Sequence, residues 1–204
     1  MHHKLLVELP MYLETERLLL RPYRAGDGEA YLEMCLHNKE HLLPYEAGNP
    51  ALEVQSLEDA EILVRRFSVE WIARNAFFLG AWQRESGTFV AQIYIGVMSW
   101  DLPEFEVGYF VDHRWAKRGF VTEAVQAALA LCFDHLQAAR LSIHCNETNT
   151  ASWHVAERCG FTREGHKRQT HPHILCADGS YSGDYHYGLL RSEYVQQRSE
   201  TPRR

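Results

Sequence analysis

The stretch that decides the fold runs Phe105-Glu106-Val107-Gly108-Tyr109-Phe110-Val111, then Asp112-His113-Arg114-Trp115-Ala116-Lys117-Arg118-Gly119, then Phe120-Val121-Thr122-Glu123-Ala124. Glu106 to Val111 is rich in β-branched and aromatic residues and reads as a strand. A short basic loop follows, and the loop opens a helix predicted over Thr122 to Leu136, with Val125, Leu129, Cys132 and Leu136 on one face. The start of such a helix carries backbone N–H groups with no carbonyl partner and the positive end of the helix dipole, so it suits an anion. Gly119 lets the backbone approach a phosphate closely, and Lys117 and Arg118 add formal charge. Taken alone, the segment reads equally well as an ordinary tight turn with solvated basic residues.

Upstream, Phe77–Trp82 and Phe89–Met98 are two more strands. The turn signals Arg84-Glu85-Ser86-Gly87 and Asp101-Leu102-Pro103 separate the three into an antiparallel meander. Before them, Ser56 with Asp59 three residues on has capping-box spacing, and Ala60, Leu63, Val64, Phe67 and Trp71 share one face of the helix that follows. Glu29–His37 reads as a short helix after the turn Arg24-Ala25-Gly26-Asp27-Gly28. Arg17–Arg21 reads as an early strand, although a short helix accounts for the same apolar run. Downstream, Leu141, Ile143 and Cys145 alternate with polar residues as a strand, and Ser152–Arg158 is a helix stopped by Gly160. Glu164–Gln169 and Tyr185–Leu190 close the order as two strands joined by a long connection. The order predicts a mixed α/β sheet with its parallel step around the Thr122–Leu136 helix.

Length and composition bound the function. The chain has 204 residues and a formal net charge of −6, with 46% hydrophobic and 24% charged residues. That is one large domain with a sizeable core, expected over 13–195, with an N-terminal extension over 1–12 and a polar tail over 196–204. Mild acidity argues against a dedicated DNA-backbone binder and leans toward a cationic or amine-bearing partner. The nearly apolar run Ala124–Phe133 is too short for a membrane span, the N-terminal apolar run is too short for a secretory signal, and two histidines there are too few for a tag. Five cysteines with no Cys-x-x-Cys pair fit reduced thiols, so a cytoplasmic location is expected.

A second stretch, Asn146-Glu147-Thr148-Asn149-Thr150-Ala151-Ser152-Trp153-His154-Val155-Ala156-Glu157-Arg158-Cys159-Gly160-Phe161, follows the next strand. Gly-Phe-Val-Thr-Glu-Ala combined with Asn-x-x-Ser and Cys-Gly-Phe resembles the GNAT superfamily of N-acetyltransferases, most closely the ribosomal-protein N-terminal acetyltransferases of the RimJ/RimL type. The opening Leu13-Glu14-Thr15-Glu16-Arg17-Leu18-Leu19-Leu20-Arg21-Pro22 extends the resemblance, which covers Leu13 to Tyr194. It implies a mostly antiparallel sheet with a splayed central parallel strand pair, flanked by helices, and transfer from acetyl-CoA to a primary amine. The pantetheine arm would lie in the splay beside the backbone of Phe110 and Val111. The pyrophosphate would sit on the N–H groups of Arg118, Gly119, Phe120, Val121 and Thr122, and Asn149 and Ser152 would face the pantetheine and the thiol. Three positions depart from the family pattern. The phosphate loop has Ala116 and Val121 beside its central Gly119, with Lys117 or Arg118 standing in for the usual side chain. Ala156 stands where many relatives carry a tyrosine as general acid.

Direct transfer needs a base for the amine, a donor for the oxyanion and an acid for the leaving thiolate. Glu106 matches the base position of several relatives, and a partly apolar cleft is expected to raise its pKa; the plain alternative is a surface carboxylate. A backbone N–H near Phe110 could serve the oxyanion. Ser152 is the candidate acid, its alternative being helix capping beside Asn149. His171-Pro172-His173 with Cys176 is weighed as a metal site and set aside, because the cluster falls in a predicted loop without a second ligand pair; His171 could line the acceptor cleft instead. Cys145 and Cys159 read as core residues, and Tyr185 and Tyr187 as packing residues with His186 on the opposite face. The acceptor reads as a protein N-terminus or a small amine, and a homodimer is left open. The competing class is an acyl-CoA-binding sensor without turnover, which Ala156 keeps in play.

Overall fold

In a computed structural model, which describes residues 3–46 and 48–200, eight strands form one sheet in the order β1-β2-β3-β4-β5-β6-β8-β7. The strands are β1 (Leu13–Glu14), β2 (Leu18–Pro22), β3 (Ala76–Gln83), β4 (Phe89–Ser99), β5 (Glu104–Val111), β6 (Arg140–Asn146), β7 (Thr162–Leu175) and β8 (Tyr181–Leu190). The helices are α1 (Gly28–Leu42), α2 (Leu57–Ala73), α3 (Phe120–Ala130), α4 (Thr150–Arg158) and α5 (Arg191–Glu200). Strands β2 to β5 form the antiparallel meander, and β5 and β6 make the parallel pair around α3. That pair is short. Glu104 opposes Arg140, Phe105 opposes Leu141 and Glu106 opposes Ser142, while Val107 to Val111 have no partner on β6 although β4 follows them throughout. The sheet therefore splays open between β5 and β6.

Each face of the sheet carries its own core. On one side Phe105, Val107, Leu141 and Ile143 pack under Ala124, Val125 and Leu129 of α3 and Val155 and Ala156 of α4. On the other, Tyr31, Met34 and Cys35 of α1 and Ala60, Val64 and Phe67 of α2 cover Tyr23, Trp82 and Phe89. The capping box starts α2 as expected: Ser56 Oγ accepts from the Asp59 N–H at 3.1 Å, and the Asp59 carboxylate accepts from the Ser56 N–H at 3.0 Å.

Several elements differ from the sequence expectation. Helix α1 runs on to Leu42, because Asn38 is buried and its amide donates to the Met34 carbonyl, so one polar residue hid a continuing apolar face. The helix expected over Thr122–Leu136 starts at Phe120 and changes pitch at Leu131, where the Leu136 N–H donates to the Leu131 carbonyl five residues back, a π-turn. The expected loop around His171-Pro172-His173 is strand: β7 is a mostly exposed edge that turns at Asp178-Gly179-Ser180 into β8. An edge strand with no buried face lacks the alternation that marks strands in sequence. The expected polar tail begins inside α5, which is polar on most sides and docks through Tyr194, stacked on Phe133. The N-terminal extension also docks in part, with Val7 and Leu9 against the main core. The first two residues of that extension and residues 201–204 of the tail lie outside the described residues. Among the described residues no helix is long and apolar enough to cross a membrane.

Candidate active site

The loop between β5 and α3 is fixed before it reaches the helix. Asp112 is fully buried and accepts from the Arg114 N–H at 3.0 Å and from the Arg114 guanidinium at 2.6 Å. Burial alone would raise its pKa, but the hydrogen bonds and charge of Arg114 hold it below the ordinary carboxylate value. Arg114 also reaches Glu33 on α1 at 2.7 Å, and Asn38 accepts from the His113 N–H at 2.9 Å. Gly119 then caps α3 with φ +80°, a left-handed conformation that L side chains resist. The first bond within α3 joins the Glu123 N–H to the Gly119 carbonyl, so the N–H groups of Phe120, Val121 and Thr122 have no carbonyl partner inside the helix. Arg17 braces this corner: it pairs with Glu123 at 2.5 Å, donates to the Arg118 carbonyl at 3.0 Å and lies 4.5 Å over the Phe120 ring. Arg118 lies 4.8 Å over the Trp115 ring.

The splay leads to a cavity of about 300 Å³ that gathers Phe110, Val111, Val121, Asn149 and Ser152. Lys117, Arg118, Gly119, Phe120 and Thr122 lie outside that lining. Gly119 and Thr122 open on a neighbouring surface hollow with Arg17 and Arg158, and Phe120 faces a third with Arg17 and Arg84. The candidate residues thus fall into two groups, a lined slot and a helix-start corner, joined by Val121.

At the inner end of the slot the capping is done by Asn149, whose Oδ1 accepts from the Ser152 N–H at 3.2 Å. The Ser152 hydroxyl is left 3.5 Å from the phenol oxygen of Tyr109, and that phenol donates to the Ser152 carbonyl at 2.8 Å. Burial pushes the Tyr109 phenol well above its ordinary pKa, so it holds its proton at neutral pH. Tyr109 was not singled out from sequence. The signal was present, however. It alternates with Phe105 and Val107 on the β5 face turned to α3 and α4, the face on which a missing acid at Ala156 would have to be replaced.

On the opposite face of β5 lies a second cavity of about 460 Å³, floored by Phe78, Tyr94 and Phe110 and rimmed by Glu46 and Asn49. It shares Tyr45, Glu46, Tyr109 and Phe110 with the slot, so the two meet across β5. The Tyr94 ring lies over Gly108, where an added Cβ would stand 3.3 Å from it. Glu46 is pushed up by burial and, after the opposing hydrogen bond from Asn49, by the charge of Glu106.

Glu106 corrects the sequence expectation. Its pKa is lowered, because the contact with His144, Nδ1 to Oε1 3.4 Å, outweighs the effect of half-burial. His144 in turn is raised by the same contact. Cys145 and Cys159 sit in the core, with thiols pushed up by burial to about 11 and about 12. Tyr187 is buried, with its phenol on Glu157, and His186 lies on the opposite face against His144. His171 lines neither cavity; it pairs with Asp184 at 2.7 Å, and Cys176 faces Glu147. Among the described residues no group of three His, Cys, Asp or Glu is placed to hold a metal ion.

The splay, the helix-start corner and the slot between them suit an extended ligand with an anionic end. The acetyltransferase (GNAT) domain model matches residues 17–162. The chain belongs to the GNAT acetyltransferases. It is 23% identical to a putative ribosomal N-acetyltransferase, YdaF of Bacillus subtilis, over 88% of this chain and 94% of that one. It shares its fold with Mycobacterium smegmatis RimJ in complex with CoA-disulfide (TM-score 0.74, 22% identity, 95% of this chain and 96% of that one). It also shares it with the microcin C7 self-immunity acetyltransferase MccE in complex with acetyl-CoA and AMP (TM-score 0.73, 18% identity, 86% and 93%). This GNAT protein is an acetyl-CoA-dependent N-acetyltransferase. The sensor alternative gives way to an enzyme.

Proposed function

We propose that this acetyltransferase modifies the N-terminal α-amine of a protein or peptide, by direct attack in a ternary complex. The observation that carries the reading is the cavity on the α1/α2 side of β5. An ammonium is drawn to Glu46 on its rim and to Glu106, two residues from Gly108 on the same strand face, while Phe78, Tyr94 and Phe110 accept an apolar first side chain. The name carried by YdaF points the same way. Five free cysteines, four of them buried, suit the reducing cytoplasm in which such acceptors are made.

In this reading the N–H groups from Arg118 to Thr122, with Lys117, hold the pyrophosphate. The backbone of Phe110 and Val111 and the side of Asn149 hold the pantetheine arm. A β5 backbone N–H near Phe110 meets the oxyanion, and the Ser152 hydroxyl beside Tyr109 returns a proton to sulfur. Acetyl-CoA supplies an activated acetyl thioester; the chain supplies alignment and proton movement. The test is acetyl-CoA-dependent thiol release with a peptide bearing a free N-terminus, the same peptide blocked there, and a panel of small amines. Release with the free peptide and none with the blocked one is expected. Release confined to small amines overturns the proposal in favour of a small-molecule acetyltransferase.

A further inference from the structure

We propose that the proton acceptor for the incoming ammonium is His144, with Glu106 as its positioning partner, the two forming a histidine–carboxylate pair at the mouth of the splay. The inference rests on the amine-acceptor reading above and changes which atom takes the proton. Glu106 and Ser142 are the last paired residues before β5 and β6 separate. His144 is two residues beyond Ser142, so it shares that face of β6, and its Nδ1 stands 3.4 Å from Glu106 Oε1. With Nδ1 turned to the carboxylate, Nε2 is the nitrogen left to accept a proton. The side chain is about as exposed as that of Glu106, 39% against 34%, and Glu106 is near enough to the acceptor cavity for its charge to act on Glu46 and Tyr94 there.

The surroundings divide the work. His144 is faced by Glu106 from β5, by His186 and Asp184 from β8, and by Arg140 on its own strand. His186, with its ring centroid 4.3 Å from that of His144, is lowered by burial and by His144, so its neutral form is favoured beside a charged neighbour. A carboxylate held below the ordinary range by its histidine is a poor acceptor from an alkylammonium, whereas an imidazole raised by that carboxylate is closely matched to the task. The ammonium gives one proton to Nε2 and becomes a neutral amine, and the imidazolium then releases that proton to solvent.

The experiment is kcat against pH with one peptide acceptor for wild type, His144→Gln and Glu106→Gln, alongside NMR titration of the His144 ring in each folded protein. The expected wild-type acid limb lies above pH 6.5, the ordinary histidine value. His144→Gln should remove that limb and lower kcat on the order of 100-fold. Glu106→Gln should move both the limb and the NMR titration to lower pH, because the group that raises His144 is gone. A wild-type limb in the carboxylate range, which shifts upward in His144→Gln with kcat retained, would make Glu106 the base and overturn the proposal. A His144 titration unmoved in Glu106→Gln would overturn the pairing whatever the turnover. Failure of the N-terminal-amine reading shows separately: small amines would turn over and peptides would not, with the same limb and the same response to both variants.

Discussion

The two sides of β5 are assembled from different kinds of neighbour. On the α3/α4 side, most of the residues that meet come from two short stretches, Tyr109 to Thr122 and Asn146 to Val155, each a strand running through a loop into a helix, with the end of α1 and the loop after it, Asn38 to Glu46, closing the slot. On the α1/α2 side, Glu46, Phe78, Tyr94, Glu106 and His144 come from five separate elements or loops, brought together only by strand order. In the proposed function the first side holds a cosubstrate whose phosphates are met by local backbone, so its chemistry is written in contiguous motifs. The second must fit an acceptor, and its chemistry is written in the register of the sheet.

The sharpest way to break that contrast is Gly119→Asp. The substitution forces an L side chain into φ +80° and sets a negative charge where the helix start offers N–H groups. The free loop relieves left-handed strain of roughly 1–2 kcal/mol by leaving the conformation that presents its N–H groups, and binding must restore it; with charge repulsion of roughly 1 kcal/mol, acetyl-CoA binding should weaken on the order of 100-fold by calorimetry. Gly119→Ala carries the strain alone and should lose about tenfold. Wild-type affinity in both would mean that the anion corner is elsewhere and that the cosubstrate side is less local than it looks.

Next comes Asp112→Ala. The buried carboxylate is held by the Arg114 backbone and guanidinium, which also reach across to Glu33 on α1, so this contact ties the two sides together. Its removal should cost about 1.5–3 kcal/mol of stability in chemical denaturation. The pH dependence has a defined sign. The folded-state pKa of Asp112 is depressed, so its contribution is complete above the unfolded carboxylate value of about 3.8 and is lost as pH falls through the folded value. The gap in stability between wild type and Asp112→Ala should therefore close in acid; a gap constant down to the lowest pH at which both fold would assign the loss to packing.

How much could be read without the structure follows the same division. The meander and the Ser56 capping box were legible, because each depends on residues within a few positions of one another, whereas α3 starts two residues before the expected Thr122 and the cap of α4 falls to Asn149, not Ser152. The direction of the Glu106 shift was not legible. Its own segment reads as a carboxylate in an apolar cleft, and the group that reverses the shift, His144, is on a strand reached only after α3. Strand β7 was legible over Glu164–Gln169, but its continuation to Leu175 was not, for a different reason. With Pro172, His173 and Leu175 exposed, ladder bonds to β8 hold that half and no apolar alternation announces it.

Arg17→Ala gives the smallest effect and the finest test of the contrast. Arg17 comes from the segment leading into β2, far in sequence from the phosphate corner, yet it holds Glu123, the Arg118 carbonyl and the Phe120 ring. Its side chain is 43% exposed, so solvent weakens the ion pair, and the remaining contribution is restraint of the loop before α3. Acetyl-CoA affinity should fall by about threefold to tenfold, the order of one partly exposed charge-assisted contact, with kcat at saturation unchanged. A loss as large as that in Gly119→Asp would show that the cosubstrate side, too, depends on distant elements. The motif Gly-Phe-Val-Thr-Glu-Ala would then be legible only because Glu123, its fifth residue, waits for an arginine that the sequence places 106 positions earlier.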